Sequence, residues 1–180
     1  MESVQLGGMD SVALTDDMSL FSAVKFYQKA IDSGVKPIIG AKVVLDFSLG
    51  QYDVILLCQN NEGYLNLSEL ISKAYLNEHG IEGVSVTEEQ LLEHQSGLIM
   101  VATSISSDIA QLFLANDSKL AGEKALSWKS IFSDRYYMSV QRTDRASDEQ
   151  LLNLTIELGL KLDIPIVATN DVQFLEKKRI

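Results

Sequence analysis

With 180 residues, a net charge of -10, an isoelectric point near 4.6 and 46% hydrophobic residues, the chain has the size of one domain and the apolar content for a real core. A surface this acidic repels a phosphate backbone, so little direct nucleic-acid binding is expected, and the one basic run, Lys177, Lys178 and Arg179, reads as a solvated tail. No apolar run approaches the roughly 18 residues a membrane span requires, and MESVQLGG lacks the basic and apolar regions of a signal peptide, which makes the cytoplasm the expected location.

MESVQLGG supplies the last turns of a helix before Gly7 and Gly8, and an α/β chain that opens there is expected to lack a preceding strand. Val12, Ala13 and Leu14 form a short run without alternation. It is expected to be a strand covered on both faces in a parallel sheet, with Thr15, Asp16 and Asp17 at its carboxyl end. Ser19 is the expected N-cap of a helix with Leu20, Val24, Tyr27 and Ile31 on its apolar face, and Gly34 stops it. VKPIIGAKVVLDF and YDVILLCQN, joined through SLGQ, read as a hairpin-like pair. The single cysteine, Cys58, lies in the apolar run VILLCQ and reads as a buried core thiol.

A helix follows over residues 62 to 77 with Leu67, Leu70, Ile71, Ala74 and Tyr75 on one face, then a loop marked by Gly80 and Gly83. Thr87 and Gln90 fit a capping box opening a short helix. GLIMVATS reads as a strand ending on small hydroxyl residues, and SDIAQLFLAND and SKLAGEKALSWKSIF as helices, with Trp128 a core residue. YYMSVQR alternates as a strand, SDEQLLNLTIELGLKLD reads as a capped helix, and IPIVATND is a final strand ending on Thr169, Asn170 and Asp171. Strands alternating with helices predict βαβ units in a mainly parallel sheet or barrel, and βα corners tipped with acids are where such folds place chemistry. Arg142 and Arg145, flanked by Asp144, Asp148 and Glu149, are expected to form a local ion-pair network.

The segments TDDMSLFSAVKFYQKAIDSGVKPIIGAK, QNNEGYLNLSELISKAY, SGLIMVATS, FSDRYYMSVQRTDR and IPIVATNDVQFL together resemble the PHP (polymerase and histidinol phosphatase) domains of bacterial DNA polymerase III alpha subunits, in order and spacing over nearly all of residues 1–180. The resemblance implies an α/β fold, a distorted (β/α)7 TIM-like barrel here incomplete for want of its first strand, which bears the family's His-x-His motif. It also implies a single domain fragment of a longer replicative polymerase, a DNA-directed DNA polymerase and nucleotidyltransferase whose palm, fingers and thumb are absent here.

Competent members of the family hold metal ions at the barrel mouth with His, Asp, Glu and Cys and hydrolyse phosphoesters. Where their pattern is Thr-Asp-His, this chain has Thr15, Asp16 and Asp17; where it is Gly-x-Glu, this chain has Gly40, Ala41 and Lys42. The Ser-Gly-Cys position reads Ala102, Thr103 and Ser104, and Thr-Asn-Asp-x-His reads Thr169, Asn170, Asp171, Val172 and Gln173. Borderline metals prefer imidazole or thiolate, and the only histidines, His79 and His94, are not at strand ends. The resemblance therefore implies a vestigial site at Asp16, Asp17, Lys42, Ser104, Asp171 and Gln173, with no catalytic residue and no cofactor expected. Such a domain would be structural and would dock the remaining domains of the alpha subunit and an epsilon-type proofreading exonuclease subunit.

The competing expectation is a surviving phosphoesterase, pyrophosphatase or 3'-5' exonuclease with a carboxylate-based site, holding a weak Mg2+ at Asp16, Asp17 and Asp171. Lys42 is expected to point into the former metal site and pair with Asp16, Asp17 or Asp171. Were that pair buried, breaking it would cost on the order of 3 to 5 kcal/mol.

Overall fold

The computed structural model describes residues 4, 7–47, 50–76, 83–103, 105–143 and 145–170. Its strands are β1 (Ser11–Asp17), β2 (Lys36–Phe47), β3 (Gly50–Cys58), β4 (Val86–Thr87), β5 (Leu98–Ala102), β6 (Tyr136–Val140) and β7 (Ile166–Ala168). They form one sheet in the order β1-β2-β3-β5-β6-β7, with β4 beside β2, curled into a half-barrel. The helices are α1 (Ala23–Asp32), α2 (Asn61–Leu76), α3 (Glu88–Glu93), α4 (Asp108–Leu114), α5 (Ser118–Phe132) and α6 (Asp148–Leu162).

The expected βαβ rhythm holds between β1 and β2 and from β5 to β7, where neighbours run parallel across a helix. The sheet is mainly parallel, as expected, with β3 the exception: it is antiparallel to both β2 and β5, while the other six strands share one direction. The expected hairpin explains this: β2 turns straight back into β3, with Phe47 opposite Gly50, and an antiparallel return needs no crossover helix.

Alternation divides each strand between two faces. Ala41, Val43 and Leu45 of β2, Val54 and Leu56 of β3, Met100 of β5 and Tyr136 and Met138 of β6 are buried against Leu67, Leu70 and Ala74 of α2, Ile109 and Phe113 of α4, and Trp128 and Phe132 of α5. This is the core, and it lies on the convex, helix-bearing face. Trp128 is a core residue as expected, and its Nε1 donates to Asp108 at 2.7 Å. Thr87 and Gln90 form the expected capping box.

Five expectations fail for identifiable reasons. β1 is an edge strand in which no residue is fully buried, so a short apolar run there is not covered on both faces. Ser19 does not cap α1: its Oγ accepts from the Phe21 amide, and the helix begins after Ser22. The stripe of α1 is real but faces solvent, with Val24 64%, Tyr27 52% and Ile31 54% exposed, while Ala23 and Ala30 face the sheet. Small residues let the backbone approach closely, and that approach selects the buried side. Cys58 is half-buried beside this stripe, and burial still pushes its thiol up to about 11. The helix α6 lacks a Ser147 side-chain cap; Asp148 instead accepts from the Thr143 and Arg145 amides, which holds its carboxyl below the ordinary range.

Two glycines fix how α2 meets β5. The Gln59 amide donates to the Gly97 carbonyl, and a Cβ on Gly63 would sit 1.9 Å from that same oxygen. Gly97 itself has φ +69, which glycine adopts without penalty. Gly63→Ala is expected to destabilise the fold by about 3 kcal/mol, or roughly 6 to 12 °C in melting temperature; calorimetry showing an unchanged transition would contradict this contact.

Among the described residues Asp108 is the one deeply buried carboxyl to carry a raised pKa. Burial is the main cause, partly offset by the Trp128 and Ile109 N–H donors and by Lys124. A carboxyl raised in the folded state keeps a proton that the unfolded chain has already released. Stability therefore falls as pH rises from the ordinary aspartate range through the folded pKa. Asp108→Asn retains an acceptor for Trp128 and is expected to melt above wild type at pH 7, the gap closing as pH is lowered to about 4. Melting curves with the same gap at both pH values would refute it.

Candidate functional site

The carboxyl ends of β1, β5, β6 and β7 meet at one rim of the half-barrel, with the long β2–β3 hairpin beside them. In the parallel register of β1 and β2, Thr15 lies beside Gly40, Asp16 beside Ala41 and Asp17 beside Lys42. Ala41 is in the core, so Asp16 shares the helix-bearing face and Asp17 and Lys42 share the concave one. Asp16 accordingly accepts from the Ser22 hydroxyl at the start of α1. Asp16 thereby ties the carboxyl end of β1 to the start of α1.

Asp17 and Lys42 form an ion pair on the concave face, Nζ to Oδ1 2.7 Å. Lys42 thus pairs as expected, and with Asp17 among the three acids named. The pair is not buried, however: the Lys42 side chain is 35% exposed and that of Asp17 75%. Water screens such a pair, so the larger penalty expected for a buried one is corrected to the surface range of about 0 to 1 kcal/mol.

Met18, immediately after this aspartate, holds a left-handed φ of 45, unusual for a residue other than glycine. It is fixed from three directions: its amide donates to the Lys42 carbonyl at 2.8 Å, its sulfur accepts from the Val44 amide, and its side chain is buried. The corner is therefore clamped to β2 at the residue that carries the cation.

Further along the rim, Asp53 pairs with Val44 in register and lies on the concave face with Lys42. Thr103 donates to the Asp53 carbonyl at 2.9 Å and sits 3.2 Å from the Ser106 hydroxyl, which stitches β3 to the end of β5. Ser139 is on the concave face of β6 with its hydroxyl buried and unpartnered among the described residues. Thr169 bonds back to Val140 through its amide, and Asn170 is exposed. Ser104, Asp171, Gln173 and His79 lie outside the described residues.

The donor set fits a metal poorly. Among the described residues no group of three His, Cys, Asp or Glu side chains could hold an ion. Asp16 is turned to the opposite face from Asp17, so these two carboxylates do not converge. Asp17 already has a lysine ammonium where a second ligand would be needed. His94 is buried on the helix-bearing side, its Nδ1 on the Gln90 carbonyl and its Nε2 3.1 Å from Lys73, which also pairs with Glu69. The lysine and the imidazole hold the Glu69 carboxyl below the ordinary range. Arg142 pairs with Glu149 at 2.7 Å, as expected of a local network and not of an anion site. Asp53, Ser106 and Ser139 were not singled out from sequence, since each is one polar residue in an apolar context without motif spacing.

Comparisons with known proteins bear on the fold and the family. The PHP domain family profile matches residues 1–143. The chain is 37% identical over 176 residues to the DNA polymerase III subunit alpha of Pseudomonas fluorescens, covering 95% of this chain and 15% of that protein. Identity to the same subunit of Escherichia coli K12 is 36% over 177 residues, covering 94% and 15%, and to that of Vibrio cholerae 35% over 181 residues, covering 99% and 16%. The chain thus spans about one sixth of the length of these curated relatives. A crystal structure assigned as a metal-dependent phosphoesterase of Bifidobacterium adolescentis superposes with a TM-score of 0.61 at 9% identity, covering 99% of this chain and 82% of that one, which is a likeness of fold.

Lys42→Ala is expected to lower stability by less than about 1 kcal/mol, and its effect should shrink further in high salt. Denaturant titration at two ionic strengths checks this. A loss above about 3 kcal/mol would mean that the pair is shielded from water.

Proposed function

We propose, from the premise that this chain belongs to the PHP domain family, that it is the PHP domain of a bacterial DNA polymerase III alpha subunit whose metal site has been replaced by an ion pair. It serves as a structural and docking module. The observation that supports this best is the Lys42 ammonium on Asp17, at the two strand positions that match the family's Glu and His ligands. A cation that already neutralises the carboxylate leaves nothing for a divalent ion to do there. Nucleotidyl transfer would belong to other domains of the full polypeptide, and proofreading to an epsilon-type exonuclease subunit docked on this one. The net charge of -10 suits a protein partner better than DNA. No helix among the described residues is long and apolar enough to cross a membrane, and a replication protein of this kind would work in the cytoplasm.

A second reading, a metal-dependent phosphoesterase, draws on the likeness to the Bifidobacterium structure and on the buried, unpartnered Ser139 hydroxyl in the mouth. The two separate cleanly. Elemental analysis of the full-length polymerase subunit after chelator treatment and gel filtration should find no tightly held zinc, manganese or iron, and a p-nitrophenyl phosphodiester should not be hydrolysed with added Mn2+. Two or more retained metal ions per chain would overturn the docking-only reading in favour of the second.

A further inference from the structure

A groove between α1 and α2 lies towards the end of the sheet away from the rim that carries Asp17 and Lys42, over the amino end of β2 and the carboxyl end of the antiparallel β3. Its volume is about 840 Å3, within the roughly 300 to 1,000 Å3 of small-molecule sites. Pro37, Ile39 and Cys58 give it an apolar floor, and Tyr27 of α1 and Tyr64 of α2, both exposed, stand on its flanks. Exposed tyrosines over an apolar floor offer flat faces on which a planar ring stacks.

The polar groups around that floor are mostly of one kind. Gln28, Gln59, Asn60 and Asn61 bring four carboxamides, and a carboxamide carries a donor and an acceptor side by side, the pattern that matches the edge of a nucleobase. The Asn60 oxygen accepts from the Gly63 amide, so its NH2 is the group left to donate. In a chain with 25 acids and 15 bases, the groove is lined by no acid and by one charged residue, Lys36. We propose that the groove is a nucleotide site: it takes a nucleoside monophosphate, with the base over Ile39 and Cys58 beside the two tyrosines, the base edge on the carboxamides and the phosphate on Lys36. Each part of the lining then has a counterpart in one ligand. A fatty acid would leave the carboxamides idle, and a cationic ligand would meet no carboxylate. With neither acid nor histidine among the described residues that line it, the groove binds the nucleotide without cleaving it. The proposal goes beyond the docking reading and does not rest on it.

The test is photolabelling of the full-length polymerase subunit with 8-azidoadenosine 5'-monophosphate, followed by peptide mapping. Label should enter peptides that span residues 24–39 or 57–64. Excess AMP should suppress it, and adenosine or inorganic phosphate alone should do so at least about tenfold less well, since each satisfies only part of the lining. Tyr64→Ala and, separately, Lys36→Glu should each weaken labelling about tenfold with unchanged melting temperature. Tyr64→Phe should retain it, because the ring face and not the hydroxyl is what stacks, and Lys42→Ala should label like wild type because it alters only the rim. Label confined to other parts of the polypeptide would overturn the proposal, as would label in these peptides that AMP does not displace or that survives both Tyr64→Ala and Lys36→Glu. A groove covered by another domain or by a protein partner gives no label there and overturns it equally.

Discussion

The β2–β3 hairpin is the constraint on which the rest of the molecule depends. β1 and β4 hang on β2, and β5, β6 and β7 follow from β3, so both halves of the sheet are registered against one turn. Its inward residues Ala41, Val43, Leu45, Val54 and Leu56 are almost completely buried, which fixes the register, since a slip of one residue would exchange the two faces. The same alternation that buries Ala41 and Val43 sends Lys42 to the concave side, next to Asp17. The opposite face of the hairpin is covered by Leu67, Leu70 and Ala74 of α2. One local choice of connection therefore sets both the electrostatics of the mouth and the packing of the core behind it.

At the mouth the trade is between coordination and ion pairing. A metal site needs several ligands converging on a point, whereas one ammonium satisfies one carboxylate and tolerates water. Asp16 has been released to the start of α1, and Met18 is held in an uncommon backbone conformation by the strand that supplies the lysine. The buried charge lies elsewhere, at Asp108 behind the sheet, where an indole N–H and a helix amide receive it.

Much of this was legible in the residues. The hairpin, the capping box at Thr87, the α2 face of Leu67, Leu70, Ile71 and Ala74, and the core place of Trp128 follow from patterns whose physics is local. Periodicity reports that a helix has an apolar side but not what lies opposite it, so the stripe of α1 was legible and its exposure was not. Cys58 and β1 failed for the same reason: an apolar run looks alike in a covered strand, at a sheet edge or beneath a gap. The Lys42 partnership could be argued from charge, but its exposure and the separation of Asp16 from Asp17 depend on strand parity, which shifts with a single residue of boundary.

The chemistry of Cys58 has a practical side. With its thiol pushed up to about 11, only on the order of one molecule in 10,000 carries the reactive thiolate at pH 7. The sole sulfhydryl of the chain is thus disfavoured as a nucleophile, and a cysteine introduced on the surface would out-compete it. For attaching a fluorophore or spin label at a chosen site, that difference in rate favours the introduced cysteine.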